Sequence, residues 1–118
     1  MLINEIPYYV LRSLIITVII ELLVAIIIGF RNKKDLINVL LVNLITNPFV
    51  TLIPITINIY VSLFARNISL IILEILVLIT EALIYKKVLS YKKINWFFIS
   101  LILNASSFGI GEVINRFL

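Results

Sequence analysis

Cysteine and histidine are both absent from this 118-residue chain. Disulfides, thiolate chemistry, the commonest metal ligand and the usual acid-base side chain are therefore excluded together. Charge is scarce as well: Asp, Glu, Lys and Arg make up 14% of the residues, where soluble domains average about 25%. Glycine and proline occur three times each, so no flexible linker is available to separate a second domain. With so little polar surface to offer water, the chain is not a soluble globular domain.

What is present is hydrocarbon. Apolar residues form 63% of the chain and come in long blocks. Tyr8 to Phe30 is interrupted only by Arg12, Ser13, Thr17 and Glu21, and about 20 residues of helix suffice to cross a bilayer core. The segment before this block, MLINEIP, lacks a positive n-region, and no small-x-small cleavage site follows Gly29, so the block is expected to be a first span and not a cleaved leader. The expected fold is all-α, a polytopic membrane protein with four transmembrane helices forming one domain over residues 1–118. The net charge of +4 sits at the ends of apolar blocks and not on a polar face. Phospholipid headgroups, and not nucleic acid, are the expected partner of those cations.

The four spans fall at about 8–30, 36–64, 69–85 and 95–117, joined by RNKKD (31–35), ARN (65–67) and KKVLSYKK (86–93). Lysine and arginine crowd the first and third connections, whereas the second holds only Arg66. By the positive-inside rule both termini are expected outside, with a prokaryotic cytoplasmic membrane as the location.

The second span is long for a bilayer and contains Pro48 and Pro54. Proline removes a backbone donor and disfavours helical geometry in the residue before it, so the span is expected to break near Asn47-Pro48. Two other paths compete. A re-entrant hairpin with Asn47 and Pro48 at its tip would put the lysines of 86–93 on the outer side, against the charge rule. A helix ending near Pro54 would lay ITINIYVSLF along the outer interface, as the alternation of Ile55, Ile57 and Ile59 allows. The pattern does not separate this path from a broken helix.

A weak internal repeat is also legible. Glu21, then KKD, then Asn43 and Asn47 is echoed by Glu81, then KKI, then Asn104 and Ser107. Halves 8–64 and 69–118 would share an orientation, as parallel repeats about an axis along the membrane normal.

Depth organises the polar residues. At about 1.5 Å per residue, Glu21, Asn43, Asn47, Glu74, Asn104 and Ser107 lie about 10–18 Å from the lysine-rich side, and Glu81 about 7 Å. Glu74 and Glu81 share a helix face, as do Asn43 and Asn47. A carboxylate at the bilayer centre costs about 2.5–3.5 kcal/mol on insertion scales, so it must face the bundle interior and be paired, neutralised or bound to a cation. Lysines 86 and 87 stand about one turn from Glu81 and could pair with it, but no basic residue sits at the depth of Glu21. These seven residues are therefore the candidate ion- or substrate-binding set, with any metal unspecified and no cofactor expected. The alternative role for each is interhelical hydrogen-bond glue, worth about 0.6 kcal/mol on average. A break at Asn47-Pro48 would add freed carbonyls as cation ligands; an ordinary kink would have them met by a neighbour such as Thr46.

Ala105 with Gly109, and Ser107 with Gly111, form overlapping small-xxx-small pairs that would let a second helix approach closely, from this chain or from another copy. Tyrosines and Trp96 near the span ends form an aromatic belt.

Four short spans with one glutamate in the first resemble the small multidrug resistance transporters in size and layout. The residues around Glu21 and in the third span carry none of that family's motifs, so no residue role is transferred. The leading expectation is a carrier or channel for a cation or a proton-coupled solute, as a homodimer or with a membrane-protein partner. A scaffold subunit of a larger complex is the alternative. A glutamate-dependent intramembrane or lipid-modifying enzyme is a third, and would need two carboxylates flanking one reacting bond.

Overall fold

The computed structural model describes residues 3–117; Met1, Leu2 and Leu118, the ends of the expected domain, lie outside the described residues. After a short 3-10 turn at Ile3–Glu5, four helices follow: α1 (Ile6–Ile28), α2 (Lys33–Tyr60), α3 (Leu63–Val88) and α4 (Trp96–Phe117). All four are long and apolar enough to cross a membrane.

Each boundary has a local cause. Proline stands in the first turn of α1, where its missing N–H is not needed. Gly29 ends that helix at φ +124°, its N–H returning to the Ala25 and Ile26 carbonyls. Asn32 caps α2 by accepting from the Lys34 N–H at 2.9 Å, Ser62 caps α3 through the Ala65 N–H at 3.1 Å, and Asn95 accepts from the Phe97 N–H at 2.8 Å ahead of α4. Lys86 and Lys87 sit in the last turn of α3, where cations complement the helix dipole.

Two expectations are corrected. The second span does not break at Asn47-Pro48: α2 is one continuous helix with both prolines inside it. A proline deletes one hydrogen bond of the ladder, whereas ending the helix in hydrocarbon would orphan a whole turn of carbonyls and N–H groups. Thr46, Thr51 and Thr56 also donate back to the carbonyls of Val42, Asn47 and Leu52, supplying side-chain hydrogen bonds throughout the proline-containing stretch. The interfacial path for ITINIYVSLF goes with the break, because Ile55 to Tyr60 stay helical. The second connection is not ARN but Val61 and Ser62, since the serine cap starts α3 early enough to take Ala65, Arg66 and Asn67 into its first turns.

The chain runs up and down, each helix packing on its sequence neighbours while α4 returns to α1; the diagonal pairs α1/α3 and α2/α4 do not meet. The long dimension of 43 Å matches the 28 residues of α2 and exceeds the roughly 30 Å hydrocarbon core, so α2 reaches both headgroup layers or tilts. Outward faces are apolar: Leu11, Ile15, Ile19, Leu23 and Ile27 on α1, and Ile68, Ile71, Ile75, Ile79 and Leu83 on α3. Such a surface aggregates in water and is ordinary in lipid.

Packing is concentrated at one end. The core cluster of Ala25, Phe30, Val39, Val42, Tyr85, Leu89, Ile99 and Leu103 lies toward the α1–α2 and α3–α4 connections. There Asp35, buried in the first turn of α2, accepts from the Ser90 N–H and hydroxyl and from the Tyr91 N–H at 2.7–3.1 Å. The Tyr91 hydroxyl donates to the Ile28 carbonyl at 2.7 Å, and its ring stacks on Phe30 with centroids 4.6 Å apart. Gly29 is favoured at its position by its positive φ, and a Cβ there would also stand 3.2 Å from the Tyr91 hydroxyl, a tight contact.

Candidate functional site

The opposite half of the bundle is hollow along its axis. A cavity of about 130 Å³ runs from the end bearing Tyr9, Arg12, Arg66 and Asn115 down to Glu21, Asn43, Thr46, Glu81 and Asn104. That space has room for several water molecules. Each helix contributes residues three or four apart: Ser13, Thr17 and Glu21 from α1; Asn43, Asn47 and Thr51 from α2; Arg66, Leu70 and Glu74 from α3; Asn104, Ser107 and Gly111 from α4. Helical periodicity thus aims one polar stripe per helix at the shared axis.

The inner end of the cavity is a buried hydrogen-bonded layer. Asn43 Nδ2 donates to Glu21 Oε1 at 3.0 Å, and Asn104 Nδ2 donates to Glu81 Oε1 at 3.0 Å. Thr46 Oγ1 stands 2.7 Å from Glu81 Oε2, bridging α2 to α3. Glu21 and Glu81 are 0% and 1% exposed, and the groups that meet them are amides and hydroxyls, not cations. Lys86, close to Glu81 in sequence, lies instead over the Trp96 ring at 5.3 Å. One oxygen, Glu21 Oε2, is buried without a hydrogen-bond partner among the described residues, as is the Tyr85 hydroxyl.

Of the seven residues singled out in the sequence, Glu21, Asn43, Glu81 and Asn104 meet in this layer. Glu81 lies deeper than the depth count gave, because α3 continues to Val88 and buries it by a further turn. Ser107 lines the cavity beside Glu21 and donates to the Asn104 carbonyl at 3.1 Å. Asn47 sits one turn above Asn43, donating to Thr17 Oγ1 at 3.3 Å. Glu74 is two turns above Glu81, half-buried on the cavity wall, and hydrogen-bonded to no other described residue. Thr17, Thr46, Thr51 and Tyr85 were missed. Stepping by four from Glu21, Asn47 and Glu81 reaches Thr17, Thr51 and Tyr85, and stepping by three from Asn43 reaches Thr46, so the helical period held that signal.

Of the two partners expected for the small-residue pairs, a helix of this chain is not the one that meets Gly109 and Gly111. A Cβ at Gly109 or Gly111 would meet nothing within 4 Å, so no described helix uses them for close approach. Gly111 instead widens the cavity.

Fold and site together define a four-span helical membrane protein whose buried carboxyls are hydrogen-bonded to asparagine and threonine. Comparison with known protein families, with characterised proteins and with solved structures finds no match for the chain.

Proposed function

We propose that the protein is a small membrane carrier that moves a cation, or a solute exchanged against protons, through the cavity between its helices. Glu21, Asn43, Glu81 and Asn104 would form the binding layer, with Asn47, Glu74 and Ser107 lining the approach. The observation that carries this reading is a polar cavity ending blindly on two carboxyls that no basic side chain neutralises. A cavity open at one end suits alternating access better than a channel, which needs a continuous path. Arg31, Lys33, Lys34, Lys86, Lys87, Lys92 and Lys93 gather at the packed end, which supports placing that end in the cytoplasm and the cavity mouth and both termini outside. The proposal includes a prokaryotic cytoplasmic membrane, and pairing of two copies through the outward Ala105–Gly109 face.

A scaffold subunit is the second reading. It is favoured by the full satisfaction of Glu81, whose two oxygens both have partners, as interhelical glue requires. Solid-supported-membrane electrophysiology on proteoliposomes, comparing the native protein with Glu21→Gln under proton, sodium, potassium and calcium gradients, separates the two. The carrier gives a gradient-dependent current that Glu21→Gln abolishes. Silence of the folded native protein in every gradient overturns the carrier in favour of the scaffold.

A further inference from the structure

The binding layer is built twice over. Glu81 lies 60 residues after Glu21, and Asn104 and Ser107 lie 61 residues after Asn43 and Thr46. The geometry follows the same shift. Asn43 Nδ2 divides its two hydrogens between Glu21 Oε1 at 3.0 Å and the Val39 carbonyl at 2.9 Å; Asn104 Nδ2 does the same with Glu81 Oε1 at 3.0 Å and the Ser100 carbonyl at 2.9 Å. Each asparagine thus serves the glutamate of its own half. The hydroxyls cross over: Thr46 of the first half reaches Glu81 of the second, and Ser107 of the second lies beside Glu21 of the first.

Counting hydrogens then constrains the carboxyls. The Val39 and Ser100 carbonyls only accept, which fixes both amides with their nitrogens inward and makes Oε1 of each glutamate an acceptor. Thr46 has one hydroxyl hydrogen and stands between two oxygens, the Val42 carbonyl at 3.0 Å and Glu81 Oε2 at 2.7 Å. A single hydrogen bonds one of them well and is at best shared weakly with the other. A proton on Glu81 Oε2 fills both contacts in series, Glu81 donating to Thr46 and Thr46 to Val42. On the other side Ser107, beside the Glu21 carboxyl, spends its hydrogen on the Asn104 carbonyl, and the buried Glu21 Oε2 has no hydrogen-bond partner among the described residues. A proton there would donate to Ser107 Oγ and complete the matching relay.

We propose that Glu21 and Glu81 are a pseudo-two-fold pair of proton sites, each holding its proton on Oε2 against a hydroxyl of the other half, and that Glu21 is the member that exchanges its proton with the cavity. The hydroxyl contact is closed at Glu81 Oε2, with Thr46 at 2.7 Å, whereas none is closed at Glu21 Oε2, so the proton on Glu21 is the less firmly held. Exchange moves the proton from Oε2 to a cavity water and back, with no other bond changed. The groups facing Glu21 suit this. From α2 come Asn43, Thr46 and Asn47, and from α4 Asn104 and Ser107, none of which titrates, with Glu112 nearer the mouth; from α3 come Glu74, Glu81 and Tyr85. The arginines of the cavity, Arg12 and Arg66, line its wall toward the open end; along α1, Arg12 lies about 13 Å from Glu21. The buried Tyr85 hydroxyl, without a hydrogen-bond partner among the described residues, lies within the electrostatic range of both glutamates. Inward-facing amide nitrogens make the layer a poor cage for a metal ion, and no described group of three or more His, Cys, Asp or Glu gathers to hold one. The inference deepens the transport reading and rests on it for what the proton drives.

Infrared difference spectroscopy on the protein in lipid, titrated toward alkaline pH, tests the pair. The native protein is expected to show two buried carboxylic-acid carbonyl bands near neutrality, one lost in Glu21→Gln and the other in Glu81→Gln, with only the Glu21 band titrating. Ser107→Ala is expected to shift the Glu21 band to the position of an acid without a hydrogen-bond acceptor, and Thr46→Val to shift the Glu81 band alike. These two variants keep the proposal testable should either glutamine variant fail to fold. Absence of both bands near neutrality, or titration of the band that Glu81→Gln removes, overturns it. Proteoliposome flux keeps the two readings apart. Sodium-driven flux with no acid band overturns the proton pair and leaves the carrier, whereas the bands without any flux overturn the carrier and leave the pair.

Discussion

Toward the lysine-rich connections the bundle axis is filled by Ala25, Val39, Val42, Tyr85, Ile99 and Leu103; toward the termini the same four helices present Ser13, Thr17, Asn47, Thr51, Glu74, Gly111 and Asn115 to an open space. The outer faces of both halves are alike, so lipid does not distinguish them. In a bilayer no hydrophobic drive presses helices together, and closure comes from van der Waals fit and from tethers between them. The packed half has both, in its apolar fit and in the Asp35–Ser90–Tyr91 clasp that joins two connections. The hollow half has a two-residue connection between α2 and α3, and many of the side chains lining it are polar. A gap persists where the residues lining it are better served by water than by one another.

Labelling should break or support that contrast most sharply. The chain has no cysteine, so single cysteines give no background. Cysteines at Ile16 and Leu70, on the cavity wall, are expected to react with a membrane-impermeant maleimide from the mouth side, and cysteines at Val39 and Leu103, both 0% exposed, to stay unmodified. Reaction at Leu103 would mean that the packed half opens as readily as the hollow one.

The clasp comes next in size. Asp35→Ala leaves two backbone N–H groups and a hydroxyl unmet, and is expected to cost about 3 kcal/mol in reversible unfolding from mixed micelles. A loss below about 1 kcal/mol would remove the clasp as the reason that this end is shut. Gly29→Ala should follow at about 1–2 kcal/mol by the same measurement, because alanine at φ +124° is strained and its Cβ would press on Tyr91.

Much of this arrangement was legible in the residues, and the rest failed for identifiable reasons. Four spans followed from the apolar blocks, because about 20 residues of hydrocarbon admit little but a helix. The break at Pro48 did not follow, since the rule for proline is calibrated where water can receive the freed groups; in lipid the helix goes on. Glu21, Asn43, Glu81 and Asn104 stood out as costly in hydrocarbon, and the structure brings them into one layer. Thr46 was visible only as a partner for a kink, because a threonine is cheap enough in a membrane to raise no question. Tyr85 looked like a belt residue at a span end, and its burial depends on α3 continuing three residues past it to Val88.

The smallest effect tests the boundary between the halves. Between α1 and α2 three polar contacts are stacked one turn apart, four residues up one helix matching four down the other: Glu21 with Asn43 at 3.0 Å, Thr17 with Asn47 at 3.3 Å and Ser13 with Thr51 at 3.4 Å. The shortest lies at the packed end, and the two nearer the mouth are longer. A double-mutant cycle of Thr17→Val and Asn47→Leu is expected to give a coupling of about 0.6 kcal/mol, the average for such bonds in membranes. Coupling near zero would mean that water already separates these helices at the second rung and that the cavity is wider than 130 Å³. Coupling of about 1.7 kcal/mol, the top of the measured range, would make the rung a strut, and the hollow half would then be as rigid as the packed one.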